Sequence, residues 1–275
     1  MTPLASTDLL PLTCTREGAC CHGHHIWINP WELAVLARTA ALDAEVFRAR
    51  YTECQGTRLR FDGPPDARGK SSCRLYDPSR GCTVHGGRPL TCRTYPLGRA
   101  RSEGAVVFYH PGTRLPCLDT CPSVTTLPSL TVQDYLVGQD IHQGEIAHDG
   151  YANLVYGMIA VARNLCDQGA SEGVDRAAVL AGFDDAAAAS MEDRTAILPQ
   201  VWVDLLTLLP ADLPLERPDE VVRRHGERIN AAVQMALNQS GASLTEAAHL
   251  YTAMAFHLAA TIGGDVPAMR GLLTD

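Results

Sequence analysis

The chain is poor in aromatic residues, at 6% of 275, and it has no apolar run of the roughly 18 residues that a membrane helix needs. The longest candidate, VWVDLLTLLP from Val201, is short and carries Asp204. No basic residue precedes the apolar stretch of MTPLASTDLLPL, so a secretory signal is not expected. A phosphate loop of the form G-x-x-x-x-G-K-[ST], an H-E-x-x-H helix, a G-x-S-x-G elbow and a G-x-G-x-x-G turn after a strand are all missing. These absences predict a soluble, cytoplasmic protein with no membrane contact, and they leave the common hydrolases and nucleotide-binding folds without sequence support.

Cysteine and proline are present in quantity and are unevenly placed. Nine of ten cysteines and 11 of 17 prolines fall before residue 125. That half carries a charge balance of +4, against −12 for the rest, within a net charge of −8. The contrast predicts two regions, 1–125 and 126–275. Arginines are scattered in the first, so nucleic acid is not expected. The acidic second half has the charge to meet a basic protein partner, although a solvated helical surface has the same composition.

Local signals give an α+β class, a small irregular cysteine-rich domain followed by an all-α helical bundle. Asn29 with Pro30 and Glu32 marks a helix start, and Asp43 marks a second. Ile26-Trp27-Ile28 has the character of a short strand. Between Thr57 and Pro122 the pattern breaks into β-prone pieces such as LRF at 59–61 and AVVFYH at 105–110. Beyond Thr125 the period is helical. Starts are expected at Thr131, near Asp149, at Pro218 and at the Ser243-x-x-Glu246 capping box.

Three cysteine phrases carry the chemistry: Cys14-x5-Cys20-Cys21, Cys73-x8-Cys82-x9-Cys92, and Cys117-x3-Cys121-Pro122. A disulfide framework suits a shorter secreted chain; in a leaderless chain, clustered thiols point to a metal or a cluster. Thiolates bind Zn²⁺ tetrahedrally, and four of them also hold an iron–sulfur cluster. Arg74, Arg88 and Arg93 flank these cysteines and are expected to offset thiolate charge, unless they are ordinary surface cations. Cys54 and Cys166 read as buried small hydrophobes. His22, His24 and His25 follow the double cysteine; solvated or supporting roles are favoured over ligation, and His85 suits a supporting role better. His249 and His257, with Met158, Met235 and Met254, are expected to be packing residues of the bundle.

Taken together these phrases resemble the YkgJ-like cysteine-cluster family of zinc- or iron-chelating domains. The match runs through Cys14, Gly18, Cys20, Cys21, Ile26 and Glu32. It continues through Cys73, Cys82, Arg88, Pro89, Cys92, Arg93, Tyr95 and Pro96, and ends in Cys121-Pro122. The resemblance implies a ligand set led by Cys21, Cys73, Cys82 and Cys92, with Cys14, Cys20, Cys117 and Cys121 next. It implies a [4Fe–4S] iron–sulfur cluster or zinc as the cofactor. Glu17 stands where the family has a second cysteine; a carboxylate there is a poor iron–sulfur ligand but an acceptable zinc ligand, and of the two readings, ligand or non-ligand, the second is favoured. Flagellin lysine N-methylases have a similar cysteine-rich segment, which makes protein methyl transfer an alternative function. A third possibility is an interaction protein with a purely structural zinc.

Overall fold

The computed structural model describes residues 2–10, 18, 21–102, 105–110, 129–168, 175–190, 192–193, 197–264 and 269. Contacts divide the chain into two units, each discontinuous: Met1–Ile26 with Leu59–Glu145, and Trp27–Arg58 with Ile146–Asp275. A single cut near residue 125 would make both units continuous. The first two helices, however, group with the C-terminal helices and not with the cysteine-rich stretches on either side of them.

The first unit contains short strands β1 (Thr2–Pro3) and β2 (Leu9–Leu10). The second unit opens with α1 (Pro30–Thr39) and α2 (Ala44–Tyr51). Both helices start where the caps predict. The Glu32 amide donates to Asn29 Oδ1 at 2.9 Å, and the Asn29 amide donates to Glu32 Oε2 at 3.0 Å. This capping box is buried, so its reciprocal bonds satisfy groups that water does not reach. The Ile26–Ile28 strand is reduced to a single bridge between Trp27 and Arg58.

Returning to the first unit, β3 (Tyr76–Asp77) pairs antiparallel with β4 (Gly81–Cys82). A short helix α3 (Leu90–Thr94) follows, then the long hairpin β5 (Gly98–Ser102) and β6 (Ala105–His110). The strand order of this sheet is β1-β6-β5, antiparallel throughout. Strand β7 (Leu130–Thr131) pairs with β2 and runs into α4 (Val132–Gly138), capped by Thr131 Oγ1 accepting from the Asp134 amide at 3.0 Å. Leu90, Leu97, Val132, Tyr135, Leu136 and Ile141 form the apolar core beneath. The AVVFYH strand therefore forms as predicted, whereas α3 lies in a stretch expected to be extended or irregular.

The remaining helices are α5 (His142–Gln168), α6 (Arg176–Ala188), α7 (Gln200–Thr207), α8 (Pro218–Ser240) and α9 (Leu244–Thr261). With a strand-bearing N-terminal region and these helices after it, the protein is α+β. Helix α5 begins seven residues before the start expected at Asp149. Helices α8 and α9 match expectation, with Gly241 in the left-handed region at φ 62° and the Ser243–Glu246 box intact. Close approach within the bundle rests on Gly226, where a Cβ atom would stand 2.7 Å from Leu154 Cδ2. The core gathers Tyr151, Val155 and Ile159 of α5, Phe183 of α6, Leu206 of α7, Ile229 of α8 and Phe256 of α9. Cys166 is buried with Val179 and Ala248, the small-hydrophobe role expected of it. Met158 and Met254 are buried, whereas Met235 is exposed.

No described helix is long and apolar enough to cross a membrane. Within the helical unit two histidines are buried. His225 Nε2 lies 2.8 Å from the Leu205 carbonyl and Nδ1 lies 3.1 Å from Tyr151 Oη. A carbonyl only accepts, so Nε2 carries the proton and Nδ1 accepts from the tyrosine. His257 has neither ring nitrogen hydrogen-bonded among the described residues. Burial lowers both to about 4, with the charge of Arg228 adding to the effect at His225 and that of Arg48 at His257. Between that value and the unfolded value near 6.5 the unfolded chain binds more protons. Stability therefore falls as pH drops through this window, by about 3 kcal/mol per histidine. Urea unfolding of the full chain is expected to show a lower midpoint at pH 4.5 than at pH 7. His257→Leu removes two unpartnered buried nitrogens. It is expected to cost less than about 1 kcal/mol at pH 7 and to flatten the acid limb; a loss of several kcal/mol at pH 7 would contradict this.

Candidate metal centre

The first cysteine phrase is anchored by a glycine. Gly18 has φ 78°, and a Cβ atom there would sit 2.3 Å from Tyr76 Cε2, inside the ring's van der Waals envelope. Only glycine meets both demands. Its carbonyl accepts from the Cys21 amide at 2.8 Å and from His22 Nδ1 at 2.7 Å. The His22 ring packs edge-on against Tyr76, with centroids 5.1 Å apart.

From this turn the chain pairs with residues 71–73. His22 and Ser72 form an antiparallel bridge, flanked by the Cys73 amide donating to the Cys21 carbonyl at 2.8 Å and the Gly23 amide to the Ser71 carbonyl at 3.0 Å. One step along this register, Cys21 stands opposite Cys73. Opposed residues of an antiparallel pair have Cβ atoms roughly 5 Å apart. Two thiols separated by 51 residues of sequence are thereby made neighbours.

The third thiol arrives by a hairpin. After Cys73 the chain turns, with the Tyr76 amide donating to the Cys73 carbonyl at 2.9 Å, and β3 and β4 then place Tyr76 opposite Cys82. The Asp77 carboxylate closes the reversal, accepting from the Ser79 amide at 2.8 Å, Ser79 Oγ at 2.6 Å and the Arg80 amide at 3.0 Å. The Ser79 hydroxyl leads the contacts that hold Asp77 down at about 2. Burial pushes the Cys73 thiol up to about 11, and proximity to Cys82 and Asp62 pushes the same way against one Leu75 amide bond. Cys73 and Cys82 are thus within electrostatic reach of each other, and neither is in a disulfide.

Cys92 lies on α3, and the arginines beside it serve the backbone. Arg93 donates to the carbonyls of Arg88 at 2.9 Å, Gln139 at 2.9 Å and Gly86 at 2.6 Å. Arg88 donates to the His85 carbonyl at 3.0 Å and to Gln139 Oε1 at 3.2 Å. Tyr135 Oη donates to the Tyr95 carbonyl. The R-P-L-T-C-R-T-Y-P phrase is therefore fastened to α4 and the turn after it. Arg74 pairs with Asp62 at 2.8 Å. These bonds of the three arginines go to carbonyls, an amide oxygen and a carboxylate.

Cys14, Glu17, Cys20, Cys117 and Cys121 lie outside the described residues. Among the described residues no three His, Cys, Asp or Glu side chains are arranged to hold a metal ion. Cys21 and Cys73 are brought together across the ladder and Cys73 and Cys82 through the hairpin. Cys54, expected to be a buried hydrophobe, is instead half-buried in the other unit, where Sγ donates to Glu192 Oε1 at 3.4 Å. His24 is half-buried, with Nε2 enclosed and unpartnered among the described residues and the ring against Tyr95 at 5.5 Å. Burial, then the Arg68 charge and the neighbouring histidines, lower its pKa. The Gly18–Tyr76 contact and the His22 bond to Gly18 have no sequence-periodic signal, since the first joins residues distant in sequence and the second closes a turn.

By donor chemistry the described residues suit a soft or borderline cation: free thiols, paired across backbone hydrogen bonds, with no disulfide between them. No curated protein and no solved structure matches the chain. One family model does, CxxCxxCC, described as "Putative zinc- or iron-chelating domain", over residues 13–108. It covers all of the ladder, the hairpin and the R-P-L-T-C-R-T-Y-P phrase. Through residues 13–108, about a third of its length, this chain is similar to the CxxCxxCC family of zinc- or iron-chelating domains.

Proposed function

We propose that the protein is a thiolate-based metal-binding protein whose cysteines hold zinc or the iron of a [4Fe–4S] cluster. The supporting observation is the antiparallel register that sets Cys21 opposite Cys73, with Cys82 returned to Cys73 by the adjoining hairpin. Cys21, Cys73 and Cys82 lead the ligand set. Cys92 and the thiols of Cys14, Cys20, Cys117 and Cys121 supply the remaining positions. Eight thiols with few imidazoles favour the iron–sulfur form over zinc. The bound centre supplies cross-linking of separated loops, which adds directly to folding free energy. This suits a small unit in which the apolar cluster around α4 has six buried residues with four partly buried ones against it.

Each residue has its own task in this scheme. Gly18 lets the first phrase lie on Tyr76, the Cys21 carbonyl fixes the position of Cys73, and Asp77 holds the hairpin that delivers Cys82. Arg88 and Arg93 fix the backbone around Cys92.

Anaerobic purification followed by elemental analysis and an optical spectrum is expected to show stoichiometric iron with broad visible absorbance, or stoichiometric zinc without it. Cys73→Ser and Cys82→Ser are expected to reduce metal content at least about tenfold, while Cys166→Ser leaves it unchanged. Gly18→Ala forces a side chain into the Tyr76 ring and a left-handed backbone, and is expected to lose metal as fully as Cys73→Ser. Protein free of both metals, or full metal content in Cys73→Ser and Cys82→Ser, would contradict the proposal.

A further inference from the structure

The ring of His22 lies beside the proposed centre in sequence, and its geometry identifies what it does there. Nδ1 is 2.7 Å from the Gly18 carbonyl, which can only accept, so Nδ1 carries a proton and acts as the donor. The same carbonyl takes the Cys21 amide at 2.8 Å. One oxygen thus receives two donors, from the residue that presents the thiol and from the side chain next to it. The opposite edge of the arrangement is closed by Tyr76, which touches Gly18 on one side and the His22 ring on the other. His22 is also bridged to Ser72, the residue before Cys73. The bonds that set Cys21 against Cys73 thus run beside contacts made by Gly18 and His22.

We infer that His22 is a positioning residue, a clasp that joins the Gly18 turn to the Tyr76 ring and so holds Cys21 opposite Cys73. It acts through the Nδ1 proton and the ring face. The inference deepens the proposed chelation at Cys21, Cys73 and Cys82, and rests on that reading for its effect on metal affinity. The clasp itself is a property of the polypeptide and can be read without metal. One feature separates it from direct ligation: Cys21 and His22 are consecutive, and neighbouring side chains on an extended chain face opposite sides.

Three substitutions in the full chain distinguish the roles. Asparagine places an amide N–H where Nδ1 sits, glutamine places its amide one atom further out near Nε2, and alanine supplies neither. Zinc affinity is measured by competition with a chelator, the ligand set by the electronic spectrum of the Co²⁺-loaded protein, and the clasp by the rate of Cys21 alkylation in metal-free protein, resolved by tandem mass spectrometry. His22→Ala and His22→Gln are expected to weaken zinc roughly tenfold and to speed Cys21 alkylation roughly fivefold. His22→Asn is expected to stay near the wild-type protein in both, and the Co²⁺ spectrum to be the same in all four. Equal alkylation rates in wild-type and His22→Ala protein, or His22→Asn behaving as His22→Ala does, would overturn the clasp. A Co²⁺ spectrum that loses an imidazole contribution in His22→Ala would overturn it in favour of ligation. Wild-type protein that binds neither zinc nor cobalt, yet shows the alkylation pattern, would overturn the chelation proposal and leave the clasp standing.

Discussion

The cysteine-rich unit depends on one piece of backbone pairing. Two amide-to-carbonyl bonds, Cys73 to Cys21 and Gly23 to Ser71, align a stretch near the N-terminus with a stretch 50 residues later. Because register in an antiparallel pair is fixed residue by residue, a one-residue slip would turn Cys21 away from Cys73. That register is held by contacts at one turn: a left-handed Gly18, a tyrosine ring that leaves no room for a side chain, and a histidine that donates to the glycine carbonyl. The chemistry of the thiols follows from this steric and hydrogen-bonded arrangement.

A second constraint is the use of arginine. The cations around Cys92 bond to carbonyls and to Gln139, tying a short helix to α4 without a large hydrophobic core. Guanidinium suits this task because its five donors lie in a rigid plane and can serve several acceptors at once. In a small unit with few aromatic residues, such bonds do part of the work that apolar burial does in the helical unit. There the ordering is conventional, with Tyr151, Phe183 and Phe256 fully enclosed and the Tyr151 hydroxyl bonded to His225.

Much of this was legible in the sequence wherever the determinant is local. Caps at Asn29, Asp43, Thr131 and Ser243 locate four helix starts because each residue satisfies amides only two or three positions away. The start of α5 is not legible. No capping residue introduces it, and Gly144 and Gly150 lower its intrinsic propensity, yet packing of Gly150 against Val222 favours the helix. The grouping of residues 27–58 with the C-terminal helices is likewise non-local, resting on bonds such as Trp31 Nε1 to the Leu215 carbonyl and Arg48 to Asp204. For the centre, cysteine spacing identifies the phrases and the chemistry. It does not reveal which thiols are opposed, because that is set by the register of a ladder with no hydrophobic alternation to announce it. The carbonyls that Arg88 and Arg93 serve are not legible either, because they belong to turns whose shape the sequence does not display.

The central claim is that the chain binds its metal through sulfur from separated stretches. X-ray absorption at the metal edge of the protein as isolated tests it most directly. The account predicts a first shell dominated by sulfur, at about 2.3 Å for iron or zinc. A first shell of oxygen and nitrogen alone would contradict it.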